Sequence, residues 1–212
     1  MVPERAYTVT LKDRDVKMTS RDLAMFRDRC AVTSGLAVRM SELILLDMYI
    51  LDTVFGVSPD AILGAISEVE LGEHPSGVKA ATQFRNMPLK GLWHKHYFSA
   101  HFVLKNIVLE LGKTGAEKII KEVVNPAKST VLTLEMIDEF SHRISHDTFE
   151  ARETNKKLTG EWIIYLQHEG NNYYLCCNTH DAGDQFIYER IMKKCVWDFP
   201  NLPTWLNAQQ TT

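Results

Sequence analysis

In the run KKLTGEWIIYLQHEGNNYYLCCNTHDAGD, Lys156 to Asp184, the sequence changes its period. Trp162 to Gln167 and Asn172 to Cys177 are rich in aromatic and branched residues, and HEGN separates them. Two such runs around a short Gly-containing connection read as a β-hairpin. A helix from about Asp184 to Cys195 is expected next, with Ile187 and Ile191 facing inward and Asp181 as a candidate cap. Almost everything before this run has the spacing of helices. The expected fold is therefore mainly α: a multi-helix body over residues 1–156, with a small C-terminal β-hairpin-plus-helix (α+β) unit over 157–212 packed on it.

Within the body, AYTVTL reads as a short strand and TSRDLAMFRDRC as a capped helix. Thr19 or Ser20 can accept from the first turn, and Asp22 complements the helix dipole. Leu36 to Phe55 is the most apolar window, but it carries Arg39, Glu42, Asp47 and Asp52. Four charges argue against a membrane span and for a helix at the centre of a bundle. Ser58 followed by Pro59 opens another helix, through SPDAILGAISEVEL. Gly72 to Lys90 reads as a long loop, of the kind that is usually functional or mobile. The helical period resumes with Trp93, Tyr97, Leu104, Val108 and Leu111 on one stripe, stopped by Gly112. GAEKIIKEVVNP and the stretch from Thr133 to about Asn155 complete the body, and the tail WDFPNLPTWL reads as an extended strap.

The chain has 212 residues, 45% hydrophobic and 24% charged, enough to bury a core without cross-links. A net charge of −3 removes the broad basic field that nucleic-acid binding calls for. A local patch remains open, because Lys79, Arg85, Lys90 and Lys95 follow one another with no acid between them. The four cysteines form no zinc-ribbon spacing and read as small buried hydrophobes of a reducing, cytoplasmic setting. The charged start MVPERAYTVTLKDRD lacks the apolar segment of a signal peptide, and no membrane association is expected.

The unusual feature is eight histidines, several of them clustered. In DEFSHRISHDTFEARE, Glu139, His142 and His146 share one helical face, a spacing from which side chains reach a common ion. The same residues lie opposite the apolar stripe of Leu134, Ile137, Phe140 and Ile144, which equally describes a solvated face. In LWHKHYFSAHF, a helix would put His94 and His101 on one side. An extended chain would instead point His94 and His96 the same way as a two-point metal grip. Packed, hydrogen-bonded histidines are the competing account of this cluster. His180 and Asp181 follow a strand and precede a helix. There His180 can act as acid or base, Asp181 can fix its tautomer and Arg190 can hold an anion.

Glycine-rich phosphate loops, H-E-x-x-H and G-x-S-x-G are all missing. Three function classes stay open. The first is a hydrolase of a phosphorylated or nucleic-acid substrate, using a histidine and carboxylate site. It would be assisted by a divalent metal, Zn or Mn, held among His94, His96, His101, Glu139, His142 and His146. The second is a metal-independent ribonuclease-like protein with His180 as acid or base and Arg190 or Lys90 on phosphate, which predicts a positive cleft on an acidic protein. The hairpin-plus-helix ending resembles small metal-independent ribonuclease toxins, at the level of fold alone. The third is a non-catalytic module that binds a protein partner or a second copy of itself.

Overall fold

The computed structural model describes residues 4–10, 15–72, 80–97, 161–179 and 182–211. The chain divides into two compact units, one made of residues 1–98 with 161–212 and the other of residues 99–160. The description below concerns the first.

Two antiparallel sheets organise it. β1 (Ala6–Thr10) pairs with β2 (Asp15–Thr19) as a two-stranded ribbon. β3 (Thr82–Gln83), β4 (Trp93–Tyr97), β5 (Glu161–His168) and β6 (Asn171–Asn178) form a second sheet in that order. The helices are α1 (Ser20–Arg29), α2 (Ser34–Ala37), α3 (Glu42–Phe55), α4 (Pro59–Leu71), α5 (Asp184–Lys194) and α6 (Leu202–Gln210). A 3-10 turn at Cys195–Trp197 separates the last two. This is an α+β mix, and the expected mainly α helical bundle is corrected. The reason lies in β4: Trp93 to Tyr97 form a strand between β3 and β5, not the start of a helix, and they join the C-terminal hairpin to the rest.

Strand alternation gives each face of the four-stranded sheet its own partners. Trp93, Lys95 and Tyr97 share a face with Glu161, Ile163 and Tyr165, by their register. Helices α3 and α4 cover that side; Lys95 Nζ, fully buried, meets Glu68 Oε2 of α4 at 2.8 Å. His94, His96, Trp162 and Ile164 line the opposite face. There Ile164, Leu166 and Cys176 pack with Ile187 and Ile191 of α5, Phe199, and Leu202 and Leu206 of α6. The sheet is thus buried on both sides, which explains why β5 and β6 read as nearly continuous apolar runs. The expected extended strap is also corrected: Pro203 stands in the first turn of α6, where its missing N–H costs nothing.

The caps expected for α1 and α4 are present, whereas α5 is preceded by Gly183 with no side-chain cap, in place of the expected Asp181. Thr19 Oγ1 accepts from Asp22 N at 3.2 Å while Asp22 Oδ2 accepts from Thr19 N at 2.8 Å, a reciprocal box at the start of α1. Ser41 caps α3 and Ser58 caps α4, with Pro59 at its first position. The apolar α3 lies against β6 and α1 rather than at a bundle centre. The β1–β2 ribbon is tied down by Arg5, whose Nη2 sits 2.8 Å from Glu42 Oε1 and 2.5 Å from Asp198 Oδ1. Tyr7 and Ser20 hydroxyls both donate to Glu42 Oε2, at 2.6 and 3.0 Å. Among the described residues no helix is long and apolar enough to cross a membrane.

Candidate functional site

One edge of the four-stranded sheet, β6, would leave its outward backbone groups unpaired. The protein closes this edge group by group. Tyr174 N donates to Arg39 O at 2.8 Å, and Tyr174 O accepts from Ser41 N at 3.0 Å. Leu175 O accepts from the Ser41 hydroxyl at 2.6 Å. Cys177 N donates to Asp47 Oδ2 at 3.0 Å, and Arg190 Nη1 donates to Cys177 O at 3.3 Å. Arg190 Nη2 completes the set by bonding Asp47 Oδ1. An ion pair between α3 and α5 therefore stands where a further strand would otherwise pair.

Asp47 and Arg190 line a pocket of about 200 Å³ together with Tyr97, Glu161, Asn178 and Thr179. Burial pushes the Asp47 carboxyl up, against the opposing pull of Arg190. The Arg190 guanidinium is held above its ordinary value because Asp47 outweighs its own desolvation. Burial raises the Tyr97 phenol and drives the Cys176 and Cys177 thiols well up, so neither thiol is a ready nucleophile. Arg190, expected to hold an anion, lines this pocket with two of its donors engaged on Asp47 and Cys177 O. His180 and Asp181, the other two residues of the expected catalytic set, lie outside the described residues.

A larger cleft of about 620 Å³ opens elsewhere on the same unit, lined by Gln83, Phe84, Arg85, Lys90, Gly91, Trp93, Gln167 and Gln209. Its floor is the 84–92 loop, anchored by the fully buried Leu89 and Leu92. Phe84 N donates to Leu92 O at 2.8 Å and Gly91 N returns to Phe84 O at 3.2 Å, closing the loop on itself. The Met87–Pro88 peptide within it is cis. Gly91 has φ +92, and a Cβ there would stand 3.0 Å from Gln209 Cβ, so α6 can lie this close only over glycine. The C-terminal end of α6 is stitched to the loop: Lys90 Nζ donates to Gln210 O at 2.7 Å, and Gln210 Nε2 donates to Pro88 O at 3.0 Å. Gln209 Nε2 also donates to Gln167 O at the end of β5.

The charge of this cleft differs from that of the chain. Arg85 and Lys90 line it and, among the described residues, no carboxylate does, although the chain as a whole carries −3. Arg85 is exposed and makes no hydrogen bond or ion pair among the described residues. Lys90 is half-buried, with one donor fixed on Gln210 O. Trp93 is also half-buried and stacks beside Tyr165 at 6.4 Å and 25°. Phe84 adds a second ring at the border.

The expected metal set fares differently. His94 and His96 do project from one face of an extended strand, with ring centroids 5.6 Å apart. Both are built into an aromatic cluster: His94 lies 4.6 Å from Phe84 and 4.9 Å from Trp162. His96 Nε2 accepts from Trp162 Nε1 at 3.3 Å, which occupies that ring nitrogen. His101, Glu139, His142 and His146 lie outside the described residues. Among the described residues no three or more His, Cys, Asp or Glu side chains stand where one ion could be held. The expected metal-binding helical bundle is corrected on that finding, made among the described residues, and on the two-sheet fold.

Sequence reasoning missed the cleft as a site, although Arg85 and Lys90 had been noted as an acid-free basic run. Gln83, Gln167 and Gln209 are scattered along the chain and carry no local signal; only β4–β5 pairing and α6 bring them together. Asp47 and Glu161 were equally silent. The chain matches no protein-family model, no curated protein and no solved structure.

Proposed function

We propose that the chain binds a phosphorylated ligand in the cleft bordered by the 84–92 loop, β4 and α6. The observation that carries this reading is the presence together of Arg85 and Lys90 in a concavity of about 620 Å³ whose described lining holds no carboxylate, on an acidic protein. A cavity of that size falls in the range of small-molecule sites, roughly 300–1,000 Å³. Arg85 offers a planar fork suited to phosphate, and Lys90 a point charge held in place through Gln210. The described lining holds no histidine and no acid to move a proton, so the reading is one of recognition and not of catalysis.

Calorimetric titration with inorganic pyrophosphate tests it. Binding should be saturable and weaken with added salt, and Arg85→Glu should reduce affinity about tenfold or more by reversing one of two charges. Arg85 is exposed and makes no contact that the fold needs, so the variant should unfold with the parent. Absence of binding in the parent, or affinity unchanged by Arg85→Glu, would overturn the reading.

A further inference from the structure

The cleft that holds Arg85 and Lys90 also holds an aromatic platform, and strand register builds it. Gln83, Trp93 and Tyr165 are successive partners across β3, β4 and β5, so their side chains share one face of the sheet. Gln167, two residues after Tyr165, emerges on that face as well. Tyr165 is buried beside Trp93, whereas Trp93 is half-buried and lines the cleft with exposed Gln83 and Gln167. The bonds of those two amides leave them versatile. Gln83 uses one N–H on Gly91 O, and Gln167 makes one bond with the Asn172 amide. A glutamine amide has two N–H donors and two acceptor lone pairs, so each can still serve a ligand as donor or as acceptor. Such a wall meets a polar ring edge of either kind and prefers neither.

We propose, resting on the phosphate-binding reading above, that the ligand is a nucleotide unit taken without regard to its base. The base stacks on the part of Trp93 not covered by Tyr165, and the phosphate meets Arg85 and Lys90. Gln83 and Gln167 satisfy whichever donors or acceptors the base edge presents. Every nucleobase has a π-face, so stacking on an aromatic side chain is tolerant of sequence, and amides able to play both parts add no selection. A hydrocarbon ring bearing a phosphate would leave those amides without partners, which favours a polar heterocycle. The base–phosphate unit is the same chemistry whether it arrives as a free nucleotide or within a single strand.

The test titrates the parent protein with AMP, GMP, CMP and UMP, and with ribose 5-phosphate and phenyl phosphate as controls. Ribose 5-phosphate keeps the phosphate and sugar without a base, and phenyl phosphate keeps a ring without a polar edge. The four nucleotides should bind within about tenfold of one another, and each at least about fivefold tighter than either control, the lower bound for one stacked base. Trp93→Leu should bring the nucleotides to the level of ribose 5-phosphate while leaving pyrophosphate binding unchanged, and Trp93→Phe should keep most of the difference. If Trp93→Leu proves unstable, the ratios in the parent and in Trp93→Phe still decide. A six-residue oligouridylate forms a second arm. Binding tighter than UMP supports the proposal and names a strand as the source; binding no tighter supports it with the free nucleotide. Nucleotides no tighter than either control, one base favoured more than about tenfold, or a preference that survives Trp93→Leu overturns the proposal while leaving the phosphate reading intact. Absence of pyrophosphate binding as well would refute both.

Discussion

Replacing Asp47 by alanine tests whether the edge of β6 is held by an ion pair. In the parent, one carboxylate oxygen bonds Arg190 Nη2 and the other accepts from Cys177 N at 3.0 Å. Removing it leaves a buried amide without its acceptor, a loss of about 1–3 kcal/mol. It also leaves a guanidinium whose side chain is only 24% exposed facing an emptied carboxylate site. Breaking a buried pair in this one-sided way costs about 3–5 kcal/mol. The two figures overlap, since both describe the same desolvation, and partial water access through the adjoining pocket favours the lower end. We expect a loss of about 3–4 kcal/mol. For a chain of this length that is a fall in melting temperature of roughly 6–16 °C. The assay is thermal and urea unfolding of the parent, Asp47→Ala, Arg190→Met and the double variant. The double variant should be more stable than the sum of the single losses implies, by about 1 kcal/mol or more. A loss below about 1 kcal/mol in Asp47→Ala, or strict additivity, would show that the edge is held by other contacts.

Three further outcomes follow from the same structure. Glu70 is held at about 2, below its ordinary 4.5, chiefly by hydrogen bonds from Arg39 and then from Asn172 and Tyr174. Its folded value is depressed, so the stability it contributes is present above pH 4.5 and is lost as pH falls toward 2; Glu70→Gln should flatten the acid limb of a pH–stability curve over that window. Arg5→Ala should loosen the β1–β2 ribbon selectively by leaving Glu42 and Asp198 without their shared cation, raising hydrogen exchange at residues 6–10 more than in β5. Gly91→Ala should cost about 1–3 kcal/mol, since it combines a left-handed φ of +92 with a 3.0 Å approach to Gln209 Cβ, and denaturant midpoints would report it.

How far the sequence was legible depends on the range of the forces involved. The capping of α1 by Thr19 and of α4 by Ser58 and Pro59 was readable because donors and acceptors lie within three residues of each other. The hairpin of β5 and β6 was readable from composition and a Gly-containing turn, with Glu169 and Gly170 both at positive φ. The segment at Trp93 misled because its aromatic spacing satisfies a helix as well as a strand. Pairing with Tyr165 and Ile163, some 70 residues away, settled the matter. The tail misled in the opposite direction: its prolines suggested an extended strap, whereas Pro203 sits in a first helical turn.

Local chemistry, then, determined the helix starts, the hairpin and the apolar character of the strands. Each of those rests on neighbours along the chain, and neighbours can be read in order. The tertiary structure alone decided that the hairpin belongs to a four-stranded sheet and that Asp47 meets Arg190 across its edge. It also decided that two cations of the 84–92 loop face glutamines from β3, β5 and α6 in one cleft. Those pairings join residues separated by tens to well over a hundred positions. Burial of both sheet faces selects them, because only the closed sheet pairs its polar groups while removing its apolar side chains from water.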